Sequence, residues 1–497
     1  MTNVNAVRAI ASAVEGTIGP KGLNTMLVDQ HGEVTITNDG ITILEQMQAN
    51  HPAARLVINT AKAQDEQVGD GTTTATIIAG TLVTEGFNQV AKGVPVTRVL
   101  DGIKVGVDRA VAAVSEQAVP LDGLGDARLA RVALVAGRDH AEIGALVVEA
   151  ARLVGRDKLL EPGFKLADAV VAKEGAAPEV FCGTIVDKEP LNDHMPKELF
   201  DVKLLVLDDA LEPEEVEDEA LATEAGFRKL LEHQEDFRGN LDRLIELGVT
   251  CLIVDRGVDE SAEDRLTDAG VMVLRRVSAR DWRKVAEHCG ARPVKRGALR
   301  KGAAEIERYL GYAARVWHDE RLEHVRVLGG RAKPVATILV GAATREVVAE
   351  RERIAKDAAS AVQAAARSGL VPGGGAAELA AIQQVLAARA GLTGMSVYGL
   401  DCVVEALRRP MSQIVHNAGF SALEKVGQVE MRQAQTGNRS LGVDCDSGEI
   451  VDLAAAMVFD PAEVKIHAIR AAGEIAEAIL RIDTIIKRRD EKSNEGG

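Results

Sequence analysis

Aromatic side chains make up only 3% of the 497 residues, although 46% of the chain is hydrophobic. The apolar content is therefore aliphatic, which suits helices and mixed α/β layers better than an aromatic-rich sandwich. Basic runs are scarce too. None is longer than Lys487-Arg488-Arg489, and the net charge is −16. A nucleic-acid binder normally presents a basic face, so no nucleic-acid partner is expected. The five cysteines (Cys182, Cys251, Cys289, Cys402, Cys445) form no Cys-x-x-Cys pair and no histidine-containing metal spacing. Free thiols in a reducing cytoplasm are expected. No apolar stretch approaches the roughly 20 residues of a membrane span. No apolar h-region accompanies Arg8, so neither a membrane segment nor a signal peptide is expected. The length exceeds one ordinary domain, and about two to four domains are expected.

What the chain does have is Val68-Gly69-Asp70-Gly71-Thr72-Thr73-Thr74. Two glycines strip side chains from either side of one carboxylate, so a ligand can approach the backbone closely. Asp70 is a hard oxygen donor suited to Mg²⁺. The apolar run Ala75 to Val83 reads as a helix, whose N-terminal N–H groups would favour an anion. The same residues also make an ordinary helix start capped by Asp70 or a threonine.

Upstream, Val4 to Val14 reads as a helix ending in the turn Gly16-Thr17-Ile18-Gly19-Pro20-Lys21-Gly22, where Pro20 fixes φ and the glycines tolerate unusual φ. Met26–Val28 and Val34–Thr37 alternate like a hairpin, and Asn38-Asp39-Gly40 reads as a second tight turn with Asp39 at its apex. A helix follows through Leu44 and Met47, and another over Ala53 to Ala63 beyond His51-Pro52.

Thr17-Ile18-Gly19-Pro20-Lys21-Gly22, Thr37-Asn38-Asp39-Gly40, His51-Pro52-Ala53-Ala54 and Gly69-Asp70-Gly71-Thr72-Thr73-Thr74 follow one another in an order and spacing that resemble the chaperonin family. The version is similar to the archaeal thermosome and eukaryotic cytosolic branch (group II-like), and a divergent bacterial (group III) member fits the same motifs. The resemblance extends over nearly the whole chain. It implies a mostly α fold with α/β, in which a helical equatorial domain, a small intermediate domain and an α/β apical domain with a helical protrusion are nested. The equatorial halves are placed at residues 1–120 and 372–497, the intermediate halves at 121–183 and 332–371, and the apical domain at 184–331.

Val96 to Gln117 and Ala127 to Val154 are predicted helices, with a linker-like break at Pro120 to Gly125 and a polar, turn-rich stretch at Val170 to Pro178. Val202–Leu207, Val249–Val254 and Val271–Val277 read as strands of a partly parallel sheet. Between the first two lies acidic Glu212 to Glu219, then an apolar stripe at Phe227, Leu230, Leu231, Phe237, Leu241 and Leu244. Most of that stripe is expected in a core, while the resemblance places a built-in lid at about Ala222 to Asn240. Val335 to Val340 reads as a strand leading into a helix over Val347 to Ser368, and the last helix is predicted over Ala468 to Ile486, with a disordered polar tail after Lys487.

By resemblance, Asp39 and Asp357 are the catalytic pair, and Asp70 is the metal ligand. Ile18, Gly19, Pro20, Asp70, Gly71, Thr72, Thr73 and Thr74 bind the nucleotide, with Gly374 and Gly375 of the Gly373-Gly374-Gly375 turn and Asp460 toward the ribose. Lys158 lies near the family's γ-phosphate-sensing lysine; taken alone it reads as a solvated surface residue. ATP and Mg²⁺ are the implied cofactors, with K⁺ a candidate further cation. The implied activity is ATP hydrolysis coupled to the folding of unfolded protein clients, with Asp357 on a different domain from Asp70 so that closure precedes turnover. The implied assembly is a homo-oligomer of two stacked rings with about eight subunits each, with no separate lid co-chaperone. The chain opens almost directly on its first helix and its tail carries no Gly-Met repeat, so family roles of those segments are not carried over. Two other readings stand beside this one. One is an ATP-binding ring or filament scaffold without folding activity. The other, a P-loop or Rossmann enzyme, lacks GxxxxGK[ST] and the dinucleotide glycine spacing.

Overall fold

A computed structural model of the chain describes residues 2–32, 34–216 and 223–485. It divides into two compact units, one of Met1–Ala141 with Lys356–Gly497 and one of Glu142–Ala355. The first unit is helical and is built from both ends of the chain. Its helices are α1 (Thr2–Glu15), α2 (Gly40–Gln46), α3 (Pro52–Val68), α4 (Thr72–Ala91), α5 (Val96–Gln117) and α6 (Ala127–Ala136) from the first half. α13 (Arg345–Ser368) enters it from the other unit. It is followed by α14 (Ala376–Ala387), α15 (Ser396–Asn417), α16 (Ala422–Thr436) and α17 (Ala462–Leu480). The hairpin β1 (Thr25–Val28) with β2 (Val34–Thr37) carries exposed Met26, Val28, Val34 and Ile36. β11 (Leu370–Pro372) pairs with β14 (Phe459–Pro461), which joins the glycine turn to the start of α17, and β12 (Leu441–Val443) pairs with β13 (Ile450–Asp452).

α4 is apolar around most of its circumference and is buried from Thr74 to Gly80 without interruption. Such a helix belongs inside a bundle rather than on its surface. α1, α3, α15 and α17 surround it, and two of its hydroxyls are satisfied within the helix: Thr76 Oγ1 donates to the Thr72 carbonyl and Thr81 Oγ1 to the Ile77 carbonyl, each at 2.8 Å. Small residues set a close crossing between α5 and α15. A Cβ on Gly102 would lie 1.9 Å from the Ser396 carbonyl oxygen, and one on Gly399 would lie 2.0 Å from that of Val99.

The second unit carries α7 (Ala141–Val154), α8 (Arg156–Leu160), α9 (Glu224–Glu246), α10 (Glu260–Asp268), α11 (Ala279–Cys289) and α12 (Ala303–Ile306), with α7 beginning at the boundary. Its sheet has the order β3 (Val170–Glu174), β10 (Ala336–Ala342), β4 (Glu179–Val186), β9 (His324–Leu328), β8 (Gly311–Asp319), β5 (Glu198–Leu207), β6 (Cys251–Val254), β7 (Met272–Leu274). β5, β6 and β7 run parallel. β6 and β7 are buried at every residue, as strands covered on both faces must be. Leu205, Leu252 and Val273 face Phe237, Leu241 and Leu244 of α9, whereas Leu204, Ile253 and Met272 face Trp282 and Val285 of α11.

Several local expectations need correction. The stretch 127–154 is two helices, broken at Gly137 to His140, where Arg138 and Asp139 both take left-handed φ of 49° and 62°. Each such non-glycine residue costs about 1–2 kcal/mol. The stretch 170–178 contains strand β3, whose alternation is masked by Lys173, Glu174 and Gly175. Asp39 is the N-cap of α2 rather than the apex of a free turn. The last helix starts at Ala462, six residues before its predicted start, because Pro461 supplies a helix-compatible lead-in. Only the C-terminal part of the stripe in α9 is core. Phe227 and Leu231 are exposed, and burial begins at Phe237. Glu217 to Ala222, which include the start of the expected lid, and the tail from Ile486 onward lie outside the described residues. Among the described residues no helix is long and apolar enough to cross a membrane.

Gly102→Ala should therefore force α5 from α15. A loss of about 1–3 kcal/mol is expected for such overpacking, read as a lowered midpoint in denaturant unfolding.

Candidate functional site

The loop before α4 lies against the start of α2 and shares its field with Asp460 just before α17, while the turn after α1 and the glycine turn pack on α15. α3 ends at Gly69 (φ 72°) and α4 begins after Gly71 (φ 79°), so Asp70 sits on a turn that only flanking left-handed glycines permit. No side chain caps α4, and Asp70 instead accepts the Gly71 N–H at 2.6 Å through Oδ1. The ordinary capped-helix reading is thus not what the structure contains. Gln64, wholly buried, donates through Nε2 to the carbonyls of Asp70 (2.7 Å) and Val464 (3.3 Å), and His467 Nδ1 lies 2.5 Å from its Oε1.

Asp39 begins α2. Its Oδ2 accepts from Thr42 N (3.1 Å) and Thr42 Oγ1 (2.5 Å). Gly40 brings the start of α2 against that of α4, where a Cβ would lie 2.3 Å from Thr73 Oγ1 and 3.1 Å from Thr72 Oγ1. The Thr17–Gly22 turn is closed by Gly22 N to Gly19 O at 3.0 Å. It is tied to α15 by Asn417 Nδ2, which donates to the Glu15 and Ile18 carbonyls at 2.9 Å each. Gly19 and Pro20 are exposed on that turn.

In the glycine turn, Gly374 and Gly375 have φ of 62° and 81°, and a Cβ on Gly375 would lie 2.7 Å from Met411 N. Gly373 lies against the Asp460 carboxyl. Asp460 is held by Lys465, whose ammonium lies 2.8 Å from Asp460 Oδ2 and 2.9 Å from Glu378 Oε1. Glu378 is fully buried, and among the described residues that ammonium is its compensation. Burial opposes the charge on Lys465, yet Asp460 and Glu378 outweigh it and hold its pKa above the usual lysine range.

The electrostatics tie these segments together. Burial and the charge of Asp460 raise Asp70 to about 6, against the Gly71 N–H and Lys465, with Asp39 adding to the rise. Burial, then Asp39, Asp70 and Asp65, push Asp357 well above the ordinary carboxylate range, and Arg138 opposes them. Arg138 Nη2 lies 3.3 Å from Asp357 Oδ2. Asp39, Asp70, Asp357 and Asp460 thus share one local field. An excess of negative charge beside an uncapped helix start can accept a cation that carries its own anionic ligand.

Of the candidate residues, all but Lys158 belong to this unit. Lys158 lies in the second unit, where its side chain is only 12% exposed and is held by Glu161 (2.7 Å) and Glu287 (2.5 Å), with the Phe164 ring 5.2 Å away. It is not the solvated lysine of the plain reading. The cut between units falls after Ala355, inside α13, so Asp357 falls on the same side as Asp70. Sequence reasoning missed Arg138, Gln64, Glu378 and the role of Lys465. Only Lys465 had a signal, since it lies five residues beyond Asp460. A separate cavity of about 780 Å³ beside Arg8, Glu15, Thr81 and Arg408 includes none of the candidate residues. Among the described residues no cluster of three or more His, Cys, Asp and Glu is arranged to hold a metal ion by itself.

Lys465→Met should strand a buried carboxylate. The expected loss is about 3–5 kcal/mol, as when one partner of a buried pair is removed. Glu378→Leu in the same background should recover part of it, and both are read by denaturant unfolding.

Residues 10–490 match the model of the TCP-1/cpn60 chaperonin family. A thermosome subunit alpha of Archaeoglobus fulgidus is 34% identical over 524 residues, covering 99% of this chain and 93% of that protein. A thermosome subunit beta of the same organism is 32% identical over 517 residues, covering 100% and 93%. The crystal structure of a group III chaperonin in the open state superposes with a TM-score of 0.87 at 46% identity, covering 98% of both chains. The chain belongs to the TCP-1/cpn60 chaperonin family, on its thermosome-like, group II branch.

Proposed function

We propose that this chain is an ATP-hydrolysing chaperonin subunit that folds protein clients inside a ring-shaped chamber closed by its own lid. Family membership supports the general character of an ATP-dependent folding machine. The observation that carries the nucleotide reading is the convergence of Asp39, Asp70 and Asp357 on an uncapped helix start flanked by left-handed glycines.

In this reading the phosphates lie against the N–H groups and hydroxyls of Thr72, Thr73 and Thr74, with Gly19 and neighbouring Ile18 and Pro20 on the far side. The glycine turn at Gly374 and Gly375 admits the nucleotide close to the backbone, and Asp460, oriented by Lys465, faces the ribose. The donor set fits Mg²⁺ that arrives with the nucleotide, because Asp70 offers one hard carboxylate whose raised pKa a nearby cation would relieve. Mg²⁺ supplies neutralisation of the phosphate charge that develops during transfer. Asp39 and Asp357 orient the attacking water from two directions. Their part is to hold that water in line with the phosphate. Lys158, clamped by Glu161 and Glu287, would have to exchange those partners to sense a γ-phosphate.

The wider assembly follows the same proposal. Unfolded clients are enclosed by a homo-oligomer of two rings with about eight subunits each, in which the stretch at about residues 222–240 forms the lid. The exposed Phe227 and Leu231 suit contacts made only when lids meet.

Asp357→Ala should bind nucleotide within about twofold of wild type while losing turnover by about 10²-fold or more, measured by calorimetry and phosphate release. Unchanged turnover would reject the role of Asp357. Removing residues 224–235, which lie before the buried Phe237, should leave ATPase and ring assembly intact and abolish ATP-dependent client retention. Retention that survives the truncation would reject this placement of the lid.

A further inference from the structure

Asp357 stands in a predominantly negative setting. The charges of Asp39 at the start of α2, Asp70 in the loop before α4 and Asp65 on α3 all act on it. On its own helix, Arg353 lies one turn back and is bound to Glu350 at 3.1 Å. Arg138 reaches the Asp357 carboxylate at 3.3 Å between Nη2 and Oδ2, with both side chains mostly covered at 21% and 27% exposure.

The backbone that delivers Arg138 is unusual. α6 is closed by Arg138 N to Val135 O (3.0 Å) and Asp139 N to Leu134 O (2.9 Å), with both residues in the left-handed region. A glycine or asparagine would adopt that geometry with less strain. An arginine is held there against its backbone preference, as happens where a side chain is needed in one place.

We propose that Arg138 is a positioning residue for ATP hydrolysis: its guanidinium holds the Asp357 carboxylate by one oxygen and in its ionised form, which leaves the other oxygen to orient the attacking water. The proposal rests on the reading of Asp357 as the water-orienting residue. Burial and three carboxylates favour the protonated acid, which cannot accept from water in the same way, and the Arg138 guanidinium opposes them.

The sign follows directly. Removing the guanidinium raises the pKa of Asp357, so less of it is ionised at a given pH and activity returns only at higher pH. In Arg138→Gln the acidic limb of the kcat profile should move up by about one pH unit or more. Turnover near neutrality should fall about tenfold and recover toward alkaline pH. Nucleotide affinity should stay within twofold of wild type, as roughly expected for a group that does not touch ligand. Arg138→Lys keeps the charge and should hold the limb near its wild-type place.

A second readout needs no nucleotide. A carboxyl whose folded pKa lies above its unfolded value loses stability as pH rises through that interval. The thermal midpoint of nucleotide-free Arg138→Gln should thus fall more steeply with rising pH than that of wild type, and Asp357→Asn in the same background should remove the excess. A kcat profile for Arg138→Gln that overlays wild type, a uniform fall at every pH, or a limb displaced as far in Arg138→Lys would each overturn the proposal. Asp357→Asn separates the two ideas. If it retains turnover, the reading of Asp357 fails and this inference with it. If it loses turnover while Arg138→Gln keeps the wild-type profile, only the inference fails.

Discussion

A helix that is apolar on nearly every side must be surrounded on nearly every side, and α4 imposes that condition on the whole first unit. Its neighbours α1 and α3 come from the beginning of the chain, and α15 and α17 come from the end. The two ends must meet, so everything between Glu142 and Ala355 is left to form its own unit around its own sheet. The same burial fixes where α4 begins. Its uncapped start cannot shift without pulling Ile77, Ile78 and Leu82 out of the core, so the Asp70 loop is anchored by packing far from any ligand.

The site is a consequence of close backbone approach as much as of charge. Gly40 lets α2 abut α4, Gly69 lets α3 abut Ser360 of α13, and Gly71 leaves room for Val464 of α17. Each is a contact that a single methyl would obstruct. The carboxylates brought together in this way raise one another's pKa, and the structure answers with two cations placed differently. Lys465 is buried between Asp460 and Glu378, whereas Arg138 reaches Asp357 from a strained loop. The arrangement leaves Asp70 without a direct cationic partner among the described residues, which suits a group whose partner arrives with the ligand.

Much of this was legible along the chain. The Asp39 and Asp70 motifs, the glycine turn and Asp460 are local signals, because a turn flanked by glycines or a helix start rich in threonine is written in consecutive residues. The parallel strands β5, β6 and β7 were legible as unbroken apolar runs. The stripe of α9 was misleading, since helical spacing of apolar residues does not say how far along a helix a neighbour extends. Phe227 and Phe237 sit on one helix, yet only Phe237 meets Leu205 and Leu252 of the sheet. The break at Gly137 to His140 was missed because Arg138 and Asp139 take a backbone shape that their residue types do not announce.

By itself the sequence determined the local chemistry: which segments turn, which carry carboxylates or hydroxyls, and that the chain belongs with chaperonins, since such motifs depend on neighbours only a few residues apart. Tertiary structure alone decided which charges compensate one another. The contact of Arg138 with Asp357 spans residues separated by 219 positions, and that of Gln64 with the Val464 carbonyl spans 400. Lys465 is matched to Glu378 only because α14 and α17 flank the β11–β14 pair. Electrostatic compensation falls steeply with distance, and distance between remote segments is set by packing, which no local pattern of residues records.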